Sequence, residues 1–178
     1  MFRGPTGHAR WVACFTLSLI AAGTGCGASA SFRDGVFDDG TVRYRVGPVG
    51  PGWDRIEVGD NDVAFNNREL GTISANSTCK EYEDVPEQAL MNQLLFGTRE
   101  RVFRTEETIT LDGRGALHNV VDLELDGVPL TLEVFLLKKD GCVYDISRIS
   151  SRPEFDRGRP ALLSFVQGFR VLSTHIAD

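Results

Sequence analysis

Alternation of apolar and polar side chains is clearest between residues 101 and 150. Within this stretch an Asp-Gly pair recurs every 14 residues, at 112–113, 126–127 and 140–141. Asp-Gly supplies the two positive-φ residues that a tight hairpin turn needs. The pattern therefore predicts an antiparallel meander of four strands, which span Val102–Leu111, Ala116–Leu125, Val128–Leu137 and Cys142–Ser150.

The third strand of this meander carries apolar side chains on both faces. Alternate side chains of a strand point to the same face. One face holds Val128, Leu130, Leu132, Val134 and Leu136. Phe135 and Leu137 lie on the opposite face, near one end. We therefore expect the second face to be covered at one end.

Shorter strands and two helices complete the predicted domain. Runs rich in β-branched and aromatic residues predict strands over 41–46, 53–58, 63–66 and 71–76. A helix is expected over 84–96, with Asp84 as its N-cap and Gly97 at its end. A second helix is expected over about 159–168, because Leu162, Phe165, Val166 and Phe169 have helical spacing. The sum is one α+β domain over 41–178, an antiparallel meander covered by two or more helices.

The N-terminal segment has the composition of a secretory signal. Residues 1–10 carry Arg3 and Arg10 without any acidic residue, and a mostly apolar stretch follows over 11–22. Small residues then lead to Cys26. A basic start, a short apolar stretch and a small-residue exit predict a signal peptide over 1–25. A transmembrane helix is not expected, because it needs about 20 apolar residues.

Residues 26–40 are small, polar and rich in Gly and Asp. This composition is typical of a flexible tether without a core of its own. Phe32, Val36 and Phe37 are the side chains in it that could dock on the domain. We therefore expect a tether between the signal peptide and the folded domain.

The sequence around Cys26 resembles a bacterial lipoprotein cleavage site, where small residues precede a cysteine that is lipidated and becomes the new N terminus. Gly23 departs from the aliphatic residue that is usual three positions before that cysteine. Gly27 differs from the Asp that is usual in a signal for retention at the inner membrane. The resemblance implies that Cys26 is acylated and that the protein faces the periplasm from the outer membrane.

Charge and composition narrow the classes of partner. Apolar residues make up 42% of the chain, which is too many for a disordered protein. The net charge of −6 argues against nucleic acid, because phosphate binding needs a basic surface. Loss of residues 1–25 removes two arginines and leaves 17 basic and 25 acidic residues, a net charge of −8. Anionic lipid would repel such a domain, so we expect a covalent attachment to the membrane.

Two cysteines remain for the folded domain of an exported chain, Cys79 and Cys142. In an oxidising compartment such a pair favours a disulfide, and two free thiols are the alternative. No histidine lies near either cysteine in the sequence, which argues against a metal site. Redox chemistry is not indicated either, because no Cys-x-x-Cys spacing occurs.

Catalysis has little support in the sequence. It contains no nucleophile elbow, phosphate-binding loop, dinucleotide loop or zinc-protease motif. His118 and Asp122 share a strand face but lie roughly 13 Å apart along an extended strand. A deep cleft that gathered both with Asp145 would favour an enzyme. We instead expect His118 and His175 at the surface. Solvated strand positions are expected for Glu106, Glu107, Glu124 and Glu133.

The order of elements resembles the PsbP-like fold, a family that includes an extrinsic subunit of photosystem II and a small Ran-binding factor. The resemblance covers about 41–172. It rests on Tyr44-Arg45-Val46, Gly52-Trp53, Cys142-Val143-Tyr144-Asp145 and Gly168-Phe169. It implies an α/β/α sandwich that binds a partner, and it brings no motif-defined active residues. The chain also looks like small lipoproteins of Gram-negative bacteria.

Two hypotheses about function follow. The first is a lipid-anchored binding or accessory module of the cell envelope, with an envelope protein as its partner and without catalysis. The second is an accessory protein of an envelope transporter that binds a small ligand or lipid. It predicts an apolar cavity between the sheet and the helices around 90–95 and 162–169. Neither hypothesis needs a cofactor or a metal ion, and Asp60-Asn61-Asp62 lacks the remaining ligands of a calcium loop.

Overall fold

A computed structural model describes residues 30–59, 61–79 and 84–175 of the chain. Within these residues the chain forms two antiparallel sheets, two α-helices and one 3₁₀ turn. The predicted signal peptide and Cys26 lie outside the described residues. The α+β class predicted from the sequence is confirmed.

The two sheets differ in size. In the described residues the small sheet has four strands in the order β1-β2-β3-β11, which span Ser31–Arg33, Val36–Asp38, Val42–Arg45 and Arg170–Thr174. The large sheet has seven described strands in the order β4-β5-β6-β10-β9-β8-β7. They span, in that order, Asp54–Ile56, Val63–Asn67, Gly71–Cys79, Cys142–Ser151, Val128–Lys139, Arg114–Leu125 and Arg99–Leu111. Helix α1 spans Glu87–Leu94, and helix α2 spans Phe155–Gln167 after a 3₁₀ turn over Arg152–Glu154.

The predicted meander corresponds to β7–β10 of the large sheet. Its three Asp-Gly turns have positive φ at both residues, with φ of 47° at Asp112, 51° at Asp126 and 51° at Asp140. These values match a tight hairpin turn, in which both central residues are left-handed. Each turn therefore fixes which residues of its two strands lie opposite each other.

The two helices pack on opposite faces of the large sheet. Leu90 and Met91 of α1 join a cluster with Val134 and Leu136 of β9. Phe165 of α2 instead shares a cluster with side chains from the other face of β9, Phe135 and Leu137. Both faces of β9 are therefore covered near its C-terminal end, whereas Val128 at its start is 52% exposed. We refer to these surfaces of the large sheet as the α1 face and the α2 face.

The small sheet joins α2 in covering the α2 face. The rings of Tyr44 from β3, Tyr144 from β10 and Phe169 pack together, with centroids 5.4–5.8 Å apart. Gly47, just after β3, donates its N–H to the carbonyl oxygen of Phe165 at 2.9 Å. A Cβ atom at Gly47 would lie 2.0 Å from the Ser164 carbonyl oxygen. Glycine is therefore required for the small sheet to approach α2 this closely.

The expectation of a flexible tether over 26–40 is wrong for residues 31–38. They form a β1–β2 hairpin on the small sheet, and its turn, Asp34-Gly35, has positive φ at both residues. The Phe37 side chain is buried, with its ring centroid 5.2 Å from that of Tyr44. Burial of this aromatic side chain and the Asp-Gly turn together favour ordered structure. Residues 26–29 lie outside the described part.

Several element boundaries differ from the predicted ones. Helix α1, which spans Glu87–Leu94, is shorter at both ends than the predicted 84–96. Helix α2 begins at Phe155 rather than near 159, because the buried Phe155 side chain packs at its first turn. Strand β11 was not predicted, since its pairing partner β3 lies more than 120 residues earlier in the chain. In the described part no helix is long and apolar enough to cross a bilayer.

Candidate functional site

The predicted cysteine pair lies in the large sheet. Cys79 ends β6 and Cys142 opens β10, where the two residues are direct cross-strand partners joined by a disulfide. The bridge connects positions 63 residues apart in sequence. Cys26, the predicted lipidation site, lies outside the described residues.

The three side chains considered for catalysis are not brought together. The His118 ring stacks on Phe135 of the α2 face, with centroids 4.3 Å apart. Asp122 lies on the same face, where the Thr131 hydroxyl donates to it at 2.6 Å. Asp145 faces the other way, beside Leu90 of α1. The large sheet therefore separates Asp145 from the other two.

His118 is buried, so the expected surface position is wrong. Only 5% of the residue is exposed. Its Nδ1 lies 2.8 Å from Glu107 Oε1 of β7, and its Nε2 lies 2.9 Å from Glu133 Oε1 of β9. Burial alone would lower the pKa of the imidazole, but the hydrogen bonds and charges of Glu133 and Glu107 outweigh it and raise the pKa. The ring is held as a bridge between two carboxylates.

Glu133 is completely buried, which also corrects the expected solvated position. Besides His118, its carboxylate accepts hydrogen bonds from Arg159 Nε of α2 at 3.1 and 3.2 Å. Arg148 of β10 lies directly opposite Glu133 in the sheet and is buried as well. A buried carboxylate is stable only when opposite charges and donors surround it. We call the linked side chains of Glu107, His118, Glu133 and Arg159 the ion network. It connects α2 to strands β7, β8 and β9 of the large sheet.

The Arg148 guanidinium is held by main-chain carbonyl groups. It donates to Phe155 at 2.8 Å, to Glu154 at 3.0 Å and to Leu70 at 3.0 and 3.1 Å. Helix α2 makes room for it at Gly158, where a Cβ atom would lie 2.2 Å from Arg148 Nη2. The guanidinium thus connects the β5–β6 turn to the start of α2.

The ion network is suited to holding the fold together. Both ring nitrogens of His118 are occupied by carboxylates, so neither is left to accept a proton from a substrate. The described residues contain no group of three or more His, Cys, Asp or Glu side chains that could hold a metal ion. Sequence reasoning missed the network because its members come from four separate elements.

A small cleft lies beside α1. Its volume is about 200 Å³, and it is lined by Leu90, Leu94, Leu136 and Val143 together with Thr78, Gln93 and Asp145. Burial raises the pKa of Asp145, although a hydrogen bond from Asn76 Nδ2 at 2.8 Å opposes the shift. Clefts for drug-sized ligands usually measure about 300–1,000 Å³. This cleft is below that range.

A larger groove lies between α2 and the β7–β8 end of the large sheet. It measures about 480 Å³ and ends near the β7–β8 turn. Its apolar lining consists of Ile109, Leu111, Phe135, Leu163 and Val166. Beneath the helices themselves the packing is closed, since Met91, Leu162 and Phe165 are fully buried. The expected cavity between helices and sheet is therefore replaced by clefts at the margins of the helices.

Strand β7 carries exposed apolar side chains at one edge of the large sheet. It is the outer strand of the large sheet in the described part, and it is 13 residues long. Val102 and Phe103 are 61% and 40% exposed. Phe96, three residues before the strand, is 88% exposed. We call strand β7 and Phe96 together the β7 edge.

Comparison of the chain with known proteins finds similarity in three-dimensional structure. No protein-family model and no curated protein matches it. LpqN of Mycobacterium tuberculosis, described as involved in cell envelope biogenesis, is 12% identical over 75% of this chain and 86% of LpqN, with a TM-score of 0.55. The chain therefore shares the fold of LpqN.

Two further structures have lower TM-scores. CyanoP, the cyanobacterial PsbP of Synechocystis sp. PCC 6803, is 14% identical over 84% of this chain and 95% of CyanoP, with a TM-score of 0.48. PA94 of Pseudomonas aeruginosa, a protein of unknown function, is 13% identical over 71% of this chain and 83% of its own, with a TM-score of 0.46. A PsbP protein is thus among the structures similar to this chain.

Proposed function

We propose that the chain is a lipid-anchored binding module of the bacterial cell envelope, which engages a protein partner through the β7 edge and catalyses no reaction. The observation that carries this proposal is the long outer strand with exposed apolar side chains. The lipoprotein-like sequence at Cys26 and the disulfide both suit an exported protein. The fold shared with LpqN, an envelope biogenesis protein, supports the same location.

The β7 edge suits partner binding by strand addition. An outer strand has a free row of backbone N–H and C=O groups, with which an extended peptide can pair. Side chains next to that row then supply specificity. Val102, Phe103 and Phe96 are exposed there and would be covered by a bound partner.

Recovery of a partner from solubilised envelopes tests the binding function. A Val102→Glu variant should reduce the recovered partner by about 10-fold, because it places a charge in the centre of the contact. Val58→Glu is the matched control, since Val58 is also exposed, at 42%, but follows β4 at the opposite edge of the large sheet. Failure to recover any reproducible partner, or equal losses in both variants, would contradict the proposal.

The intact mass of the mature protein tests the anchor and the compartment. We expect a chain that begins at an acylated Cys26 and lacks two hydrogens because Cys79 and Cys142 are joined. A mature chain without acyl groups would contradict lipid anchoring.

The groove beside α2 favours a second candidate function, the binding of a small apolar ligand or lipid. A fluorescent fatty acid is a suitable probe for a groove of about 480 Å³ with this apolar lining. Saturable binding that Leu163→Glu abolishes and Val58→Glu preserves would support this function. Absence of saturable binding, or equal loss in both variants, would contradict it.

A further inference from the structure

The small sheet has an outer face rich in arginine. Strand β3 alternates between buried and exposed residues, so Val42 and Tyr44 point inward while Arg43 and Arg45 point outward. Arg45 lies opposite Val36 on one side and Arg170 on the other. Val36 is in turn opposite Arg33. One cross-strand row therefore holds three arginines and a valine.

The neighbouring row on this face contains the fourth arginine. Arg43 lies opposite Asp38 and Ser173, and Asp38 lies opposite Ser31. Arg43 and Asp38 form an ion pair at 3.5 Å between half-exposed side chains. The face defined by these two rows thus has four arginines and one aspartate, a net charge of +3. We call it the basic face. Its Arg170 also lies 3.8 Å from Asp112 of the β7–β8 turn, which compensates part of this charge.

Two arginines of the basic face, Arg33 and Arg45, are free to bind an anion. In the described part of the chain no ion pair or side-chain hydrogen bond involves Arg33 or Arg45, and both residues are exposed. A bulge in β11 between Val171 and Ser173 adds an exposed Leu172 next to the arginines. Exposed arginines with an adjacent apolar side chain suit a surface of phosphate groups over acyl chains.

The basic face lies close in sequence to Cys26, the predicted point of attachment to the membrane. Strand β1 begins at Ser31, five residues after Cys26. A chain segment of this length spans at most about 18 Å when fully extended. If Cys26 is acylated, the small sheet is therefore the part of the domain that is covalently held next to the bilayer.

We propose that the basic face docks on the anionic phospholipid surface of the membrane and fixes the orientation of the domain on its anchor. This proposal rests on the proposed lipid anchor. The rest of the domain carries the excess of acidic residues and is turned away from the lipid phosphates. Docking of this face leaves the β7 edge, which belongs to the other sheet, available to a partner.

Vesicle flotation of the mature chain, residues 26–178, tests the proposal. All proteins carry Cys26→Ser, so that no acyl chain contributes, and the vesicles contain phosphatidylcholine alone or mixed with phosphatidylglycerol. We expect preferential binding to the mixed vesicles that weakens as salt is raised. The double variant Arg33→Gln/Arg45→Gln should lower this binding by about 25-fold, because each arginine near an anionic surface contributes a factor of about five.

The matched control removes the same charge elsewhere. Arg68 of the β5–β6 turn and Arg114 of β8 are exposed and lie outside the small sheet, and Arg68→Gln/Arg114→Gln should change binding by less than about 3-fold. Equal losses in the two double variants, or equal binding to both kinds of vesicle, would overturn the proposal. So would a dimer in solution that Arg33→Gln/Arg45→Gln dissociates, since the face would then bind a second copy.

The two proposals can fail separately. Vesicle binding is measured without acylation, so an unacylated Cys26 in the mature protein would contradict the anchor and leave the vesicle result unchanged. Conversely, an acylated Cys26 together with the absence of lipid selectivity would contradict only the docking of the basic face.

Discussion

At the scale of single residues, the buried charges explain why certain small side chains are needed. The Arg148 guanidinium is surrounded by carbonyl groups and by the backbone of α2 at Gly158. A side chain at that position would displace a buried cation that donates four hydrogen bonds to main-chain carbonyl groups. The glycine therefore acts by leaving space rather than by adopting an unusual conformation.

We expect Gly158→Ala to lower the free energy of unfolding by about 3 kcal/mol, because the new Cβ would clash with Arg148 and break some of its hydrogen bonds. Gly115→Ala is the matched control. A Cβ there would meet only the Thr108 methyl group, at an ordinary 3.6 Å. Urea unfolding of both variants measures the difference, and equal stabilities would show that Arg148 shifts without cost.

The buried imidazole predicts a dependence of stability on pH. The folded-state pKa of His118 is raised above its ordinary 6.5 by Glu133 and Glu107, despite the opposing effect of burial. Its stabilisation is therefore fully present below pH 6.5 and is lost as the pH rises through the folded-state pKa. Urea unfolding from pH 6 to pH 9 should show a fall in stability that His118→Gln reduces.

His175→Gln is the control for this titration, since His175 lies after β11 and away from the network. It should retain the pH dependence of the unmodified protein. The hypothesis is wrong if His118→Gln leaves the slope of stability against pH unchanged.

Part of this network was accessible from the sequence. The Asp112-Gly113 turn pairs Leu111 with Arg114, and counting outward places Glu107 directly opposite His118. The sequence thus contained the signal for one carboxylate partner. Glu133 and Arg159 could not be found in the same way, because the first lies diagonally across the next strand pair and the second comes from α2.

At the scale of elements, local signals predicted well and distant pairings did not. The Asp-Gly turns located the meander because their positive φ values are a property of two adjacent residues. Asp34-Gly35 is the same signal in the N-terminal segment, and it marked the β1–β2 hairpin that composition alone suggested was a tether. Strand β11 carries no such signal, since its place is set by contact with β3.

The disulfide is expected to stabilise the contact between β6 and β10. Replacing both Cys79 and Cys142 with alanine should lower the free energy of unfolding by about 4 kcal/mol, because the bridge closes a loop of 63 residues in the unfolded chain. Urea unfolding with and without a reducing agent measures the effect. Reduction should bring the unmodified protein to the stability of the double variant, and a reductant effect that persists in that variant would contradict this assignment.

At the scale of the whole molecule, net charge alone does not show how charge is distributed over the surface. A net charge of −8 predicts repulsion from anionic lipid, but the structure separates the charges and collects four arginines on one face of the small sheet. Charge segregation of this kind depends on strand alternation and cross-strand register. It becomes visible only once β1, β2, β3 and β11 are placed side by side.

The short connection to Cys26 provides a test of orientation. Insertion of about ten Gly and Ser residues after Gly27 should leave the protein anchored while lowering the effective concentration of the basic face at the bilayer. On vesicles with phosphatidylglycerol we expect trypsin to cleave the lengthened protein at Arg33 and Arg45 faster than it cleaves the protein without the insertion. On phosphatidylcholine vesicles the insertion should have little effect. Equal cleavage rates with and without the insertion on both kinds of vesicle would contradict the predicted orientation.

The disulfide between Cys79 and Cys142 also determines what a single proteolytic cut does to the molecule. It encloses α1 and strands β7–β9 in a covalent ring that passes through the β7 edge. A single cut between residues 80 and 141 opens the ring but releases no fragment, because both ends stay attached at the cysteines. A clipped molecule therefore keeps all of its residues in one covalent unit until the disulfide is reduced, and gains only the water molecule added by the cleavage.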